Sequence, residues 1–447
     1  MTDGLPAGIT PYDWALEQLR IPDAHAVTKG SENVIVAVID LGYRHHSDLD
    51  GHLWVNPNPK QGDIHGWDCV DDDSSLEYNG PGEEDSYYYR GHHVFVAGEV
   101  AAVAPECPIM IVRVGYTDRL NWANGIRYAV DNGAKVLVIP HGYIGSAHGS
   151  DIPLFYQGTD FGYPRDNPEL RRALDYAYDS GCLVMSGTAD NRGRRVVAAQ
   201  AAFDTTCAVG SSHRRGAPAN ICCSADYVEF GAPGGDRGTG DDRDRIWGCG
   251  GDGQYIPFEG GCMACAFAGG VAALVWSRYP DLSNEQVRQI MRNTARPAES
   301  VEYNADGWEP RLGYGILDAA AAVSLRPGQL CRDIHIVEPS LRVADNVLRA
   351  VVENRGAYDA DRAVVVAYSG DSRVPADSSG TTDTPAQELL TRQIGHAVVV
   401  VRGLHSSRVS VELLGAPPEV VYLETFTLDR HDVGNISYSR WAKEDTG

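Results

Sequence analysis

Lysine is almost missing from this 447-residue chain: four lysines stand beside 34 arginines, and these 38 basic residues face 61 acidic ones, a formal net charge of −23. No concentrated basic patch interrupts that excess. A surface so negative repels phosphate backbones and anionic lipid, so neither nucleic acid nor a membrane surface is expected as a partner. The sequence also lacks an apolar run near the ~20 residues that span a bilayer, and its start carries no basic-then-apolar leader. These absences lead to the expectation of a cytoplasmic protein. No internal repeat stands out.

What is present is enough to fold. Hydrophobic residues make up 43% and charged residues 22%, which excludes global disorder, and the length suggests more than one unit. Most of the ten cysteines are expected to be buried thiols rather than staples, because a chain with an ample core in a reducing compartment has little need of disulfides.

Val34–Ile39 is a short apolar run rich in β-branched residues, as a strand covered on both faces should be, and it ends on Asp40. Strand and helix patterns then alternate: a helix over His92–Ala102, a strand over Ile109–Val114, a helix over Asn121–Asn132, and a strand over Lys135–Ile139. A helix over Pro168–Asp179 and a strand over Cys182–Ser186 follow. Met263–Arg278 reads as a long helix whose first half is mostly Ala and Gly. Ser283 caps the next helix, with Gln286 at the reciprocal position. Gly313–Ala322 reads as a closing small-residue helix. This β-α-β rhythm predicts an α/β domain over residues 1–328 with a parallel sheet covered by helices on both faces. From 329 to 447, period-two runs between Gly, Asn, Asp and Pro turns predict a small all-β sandwich.

Four motifs in order resemble the subtilisin-like (subtilase) family. Ala37-Val38-Ile39-Asp40-Leu41-Gly42 with His46-Ser47-Asp48-Leu49 is similar to its aspartate motif, and His92-His93-Val94-Phe95-Val96-Ala97-Gly98 to its histidine motif. Gly260-Gly261-Cys262-Met263-Ala264 resembles the serine motif, with Cys262 on the nucleophile position, and Gly313-Tyr314-Gly315-Ile316-Leu317-Asp318 the closing segment. The opening, from Trp14, resembles the start of a mature subtilase with no pro-domain before it, which fits an intracellular protein.

The departures shape the functional reading. Val94 replaces the family's Thr after the histidine, Gly261 replaces the Thr before the nucleophile, and Ala189 falls where the family places the Asn of its oxyanion hole. An ordinary serine endopeptidase is therefore not expected. A nucleophile, a base and an acid that orients the base remain in Cys262, His92 and Asp40. Cys262 at a helix start gains from backbone N–H groups and the dipole, which favour thiolate. The resulting expectation is a cysteine-dependent hydrolase or acyl transferase acting on a peptide or a small electrophilic substrate. The alternative is a catalytically inactive relative that binds peptides or assists assembly in a biosynthetic pathway. Pro140 points that way, because it lacks the N–H that pairs with substrate backbone.

Asn191, Gly261, Thr188, His93, Tyr89 and His141 are the candidates for oxyanion or substrate contact. No cofactor and no metal site is expected. Asp71-Asp72-Asp73 and Asp241-Asp242-Arg243-Asp244 offer oxygens to calcium, but neither matches a dedicated loop. A thiol pair at Cys262 and Cys265 could form a disulfide. The sandwich domain is the expected place for a protein partner.

Overall fold

The computed structural model describes Leu5 and residues 9–77, 91–115, 119–140, 168–188, 200–225, 228–304, 307–332, 334–337, 342–344, 346–369, 392–414, 420–427 and 437–442. The chain divides into two compact units, Met1–Ser324 and Leu325–Gly447.

The first unit is built on a seven-stranded sheet. Its strands are β1 (Ile35–Asp40), β2 (Gly66–Asp68), β3 (Ile109–Arg113), β4 (Ala134–Ile139), β5 (Leu183–Gly187), β6 (Thr206–Ser212) and β7 (Val228–Pro233), in the order β2-β3-β1-β4-β5-β6-β7. Every pairing is parallel. The order reverses beside β1, and in open α/β sheets ligands bind at the carboxyl ends of strands near such a reversal.

Alternate residues of each strand serve opposite faces, which is why the runs are apolar throughout. Ala37, Ile39, Leu137 and Ile139 share a core with Trp122 and Ile126 of α4 (Arg119–Asp131) and with Leu170 and Leu174 of α5 (Pro168–Asp179). The other face receives α6 (Gly261–Arg278), whose glycines permit close approach: a Cβ at Gly269 would lie 2.3 Å from Val138 Cγ2. One at Gly270 would lie 2.6 Å from Val103 Cβ, in α3 (His92–Val103). Among the described residues α6 is the one helix long and apolar enough to cross a membrane, and 83% of it is buried inside the fold.

A hairpin of β8 (Ile246–Cys249) and β9 (Tyr255–Phe258) leads directly into α6. Further on, α7 (Asn284–Thr294) carries the expected capping box: Gln286 N–H donates to Ser283 Oγ at 3.2 Å and Ser283 N–H to Gln286 Oε1 at 2.9 Å. The closing segment is corrected by the structure. Its helix is confined to Ala319–Val323, and Gly313 and Gly315 take φ of 57° and 129° in a turn whose backbone packs on β7. A Cβ at Gly313 would meet Glu229 O at 2.3 Å, so close backbone approach, not helix packing, accounts for the glycines.

The second unit is all-β. One sheet joins β10 (Ile334–Ile336), β11 (Arg342–Ala344), β12 (Val347–Asn354) and β15 (Ser406–Glu412). The other orders β14 (Arg392–Val401), β13 (Ala360–Ser369), β16 (Val420–Thr427) and β17 (Ser437–Ala442). Leu348, Val352, Val409 and Val411 of the first sheet share a core with Ala363, Val365, Ala367 and Val401 of the second, which makes the unit a sandwich. Asn346, at φ 58°, separates β11 from β12 within what reads in the sequence as one period-two run.

Candidate active site

Asp40 is the last residue of β1 and is fully buried. Its Oδ1 accepts the Leu41 N–H at 2.8 Å, and its Oδ2 lies 2.7 Å from Nδ1 of His92, the first residue of α3. A carboxylate only accepts, so the imidazole carries its proton on Nδ1, and Nε2 is the basic nitrogen. The ring is itself buried and meets Phe258 edge to face at 5.7 Å, and Phe258 meets Phe95 in the same manner at 5.0 Å.

Cys262 is the second residue of α6, after Gly260 at φ 146° as its N-cap. It is partly exposed, as is Cys331 of the second unit, whereas the other eight cysteines are buried; all ten are thiols. Register places Cys262 on the rim that holds Asp40. Val38 pairs with Val138 and Val138 with Met185, so Asp40 and Gly187, each two residues further on, stand level at the same edge with β4 between them. Two strand spacings of about 4.8 Å separate them. Gly187 in turn abuts the peptide of the nucleophile motif: a Cβ on it would lie 2.5 Å from Gly261 O and 3.3 Å from Cys262 N.

Other expected site residues fall variously. Gly261 is buried under this contact. Thr188 follows β5, its N–H donating to Val209 O at 2.9 Å, and its buried Oγ1 has no hydrogen-bond partner among the described residues. His93 is buried with its ring 6.3 Å from that of Tyr43. Tyr89, His141 and Asn191 lie outside the described residues. Cys265 does not bridge to Cys262: its Sγ donates to Met185 O at 3.2 Å, and burial pushes its thiol pKa well up.

The acidic runs are engaged locally. Asp71 pairs with Arg113 at 2.8 Å, and Arg113 also holds the buried Asp68. Asp241 caps a turn and pairs with Arg243, and Asp244 pairs with Arg214 at 2.8 Å. A different group can hold a metal ion: His46, Asp48 and Cys249 offer ligand atoms within 4.8 Å of one another. The motifs put His46 and Asp48 in view, but only the fold brings Cys249 beside them. Phe258 and the buried Glu99 were missed for the same reason, since nothing in their local sequence marks a site.

Residues 31–315 match the subtilase family, and the chain belongs to it. The fold and family together define a domain of the peptidase class. Among curated relatives, fervidolysin of Fervidobacterium pennivorans is 25% identical over 69% of this chain and 43% of its own length. Thermitase of Thermoactinomyces vulgaris is 28% identical over 62% of this chain and 86% of its own. The crystal structure of a lanthipeptide protease has the same fold, with a TM-score of 0.57 and 21% identity over 71% of this chain and 97% of that one.

The relatives overturn the cytoplasmic expectation. They include the minor extracellular protease of Bacillus subtilis, 22% identical over 72% of this chain. The thiols do not require a reducing compartment, because burial by itself accounts for eight of them.

Proposed function

We propose that this protein is a cysteine-dependent peptide hydrolase or acyl transferase, with Cys262 as nucleophile, His92 as general base and then acid, and Asp40 orienting His92. The observation that carries the reading is the buried 2.7 Å Asp40–His92 contact, which fixes the proton on Nδ1 and leaves Nε2 to exchange protons at the rim where α6 begins. The thiol proton passes to His92 Nε2 as sulfur attacks the substrate carbonyl carbon. The amine leaves with that proton when the C–N bond breaks, giving a thioester at Cys262. Water or a second amine, deprotonated by the same Nε2, then breaks the thioester and releases the acyl group.

The Cys262 N–H at the start of α6 is the natural first donor to the developing oxyanion, and Thr188, whose hydroxyl has no partner among the described residues, is the candidate second donor. Gly261 provides the room that sulfur, larger than oxygen, needs. His93, Tyr89, His141 and Asn191 are assigned to substrate contact. Residues 1–328 form the catalytic unit in this reading, and the sandwich of 329–447 recruits a protein partner or substrate.

Intact-mass detection tests the proposal. A peptide ester incubated with the protein leaves an acyl adduct on Cys262, and a thiol-alkylating probe labels Cys262 ahead of the buried cysteines. Burial pushes the thiols of Cys69, Cys207 and Cys249 up to about 12 and that of Cys182 to about 11, so they stay protonated and slow. Undiminished turnover in Cys262→Ala sinks the mechanism. A second reading, a peptide-binding or assembly protein without turnover, rests on Pro140 following β4, where an edge strand that pairs with substrate backbone would need an N–H.

A further inference from the structure

We infer that His46, Asp48 and Cys249 form a binding site for one zinc-class divalent cation, which clips the loop after β1 to the β8–β9 hairpin. The three residues come from segments about 200 positions apart in sequence, joined only by the fold. His46 stands six residues beyond Asp40, and Cys249 ends the strand whose hairpin runs through Phe258 to Cys262.

The spacing fits one ion. Around a tetrahedral zinc, ligand atoms bound at about 2.0–2.3 Å stand roughly 3.3–3.8 Å from one another. Here His46 Nδ1 lies 3.8 Å from Asp48 Oδ1, and Cys249 Sγ lies 3.7 Å from Asp48 Oδ2. His46 and Cys249 are each 1% exposed, while the Asp48 side chain is 44% exposed and gives an ion its way in. An imidazole nitrogen, a thiolate and one carboxylate suit zinc and neighbouring transition metals; calcium takes oxygen ligands.

A second observation concerns the imidazole. Its Nδ1 accepts the Asp48 N–H at 3.1 Å, so the ring proton sits on Nε2, buried beside the Gln254 backbone. Ligation through either nitrogen exchanges the Asp48 amide bond for a metal bond, because neutral imidazole has one lone pair. Cys249 ligates by losing its S–H proton to solvent and giving the freed sulfur pair to the ion. Outer contacts already hold the ligands: Tyr255 Oη donates to Asp48 Oδ2 at 2.6 Å, and the Cys249 N–H donates to Tyr12 Oη at 2.8 Å.

The test uses the full chain loaded with zinc, then with cobalt. Elemental analysis after desalting should find one equivalent of zinc. The cobalt form should show a thiolate-to-metal charge-transfer band that disappears in Cys249→Ser and persists in Cys331→Ser. Competition with a chromophoric chelator should show zinc affinity falling at least tenfold in His46→Ala and Cys249→Ser. No retained zinc in the wild type, or a band that survives Cys249→Ser, overturns the inference. Should the buried variants fail to fold, Asp48→Asn at its half-exposed position decides: a tenfold loss supports the site, and unchanged affinity overturns it. None of these readouts depends on Cys262 chemistry.

Discussion

Asp40 and His92, 52 positions apart, meet through a 2.7 Å contact between Oδ2 and Nδ1 in which both side chains are buried. Burial matters here because water does not compete for either group, so the carboxylate fixes the imidazole tautomer outright. Asp40→Asn presents an amide that can donate to Nδ1 and so drive the proton to Nε2. The expected result is a fall in kcat/KM of about 10²-fold or more with the fold intact. Steady-state kinetics on a peptide ester with circular dichroism as the control checks it; unchanged kcat/KM counts against His92 as base.

Gly187 is the position at which β5 touches the nucleophile motif. A methyl group there would sit 2.5 Å from Gly261 O and 2.7 Å from Gly261 C, both backbone atoms that cannot rotate away. Gly187→Ala should displace the start of α6, costing about 1–3 kcal/mol of stability and most of the reactivity of Cys262. Urea denaturation and alkylation rates measure the two effects separately, and an unchanged alkylation rate would show that Cys262 does not depend on this contact.

Glu99 lies on α3, wholly buried, with no hydrogen-bond partner for either oxygen among the described residues. Burial pushes its pKa well above the ordinary 4.5, so the folded protein keeps it neutral. The unfolded chain releases that proton near 4.5 while the folded chain holds it. Stability from this group is therefore complete below 4.5 and declines as pH rises toward the elevated folded value. Across that window the stability of Glu99→Gln should gain on the wild type by about 1.4 kcal/mol per pH unit. Denaturant midpoints from pH 4 to pH 8 read it directly; parallel profiles would refute the assignment.

Glu229 on β7 has the opposite sign. Burial alone would raise its pKa, but the charges of Arg288 and Arg292 of α7 outweigh it and hold the carboxylate below its usual range. The Arg288 contact is 2.8 Å and the Arg292 contact 3.1 Å. Its stabilisation is present above the unfolded pKa and is lost as pH falls through the depressed folded one. Glu229→Ala strands two cations against the sheet and should cost about 3–5 kcal/mol at neutral pH, with the difference shrinking in acid. Thermal melts at pH 7 and pH 3 test both parts.

β1, β3, β4 and β5 and most helices were legible because each is set by a local pattern: β1 and β4 by apolar runs rich in β-branched residues, β5 by a short apolar run, α5 by its Pro168 start, α7 by the Ser283–Gln286 box. The Gly313–Gly315 turn was misread as helix because small residues are as apt for close backbone approach as for helix packing, and only the neighbour decides. The split at Asn346 was hidden similarly, since an Asn that bends a strand back does not alter the period on either side of it.

By itself, the sequence determined the kind of fold, the identity of the residues at the three motif positions, and a surface charge that turns away nucleic acid. Those properties follow from composition and short-range order along one chain. Only the tertiary structure decided that Asp40 touches His92, that Gly187 must be small to admit the Cys262 peptide, and that Cys249 joins His46 and Asp48. Each depends on segments brought together from distant parts of the chain, whose separations are set by sheet register and helix packing rather than by any local pattern.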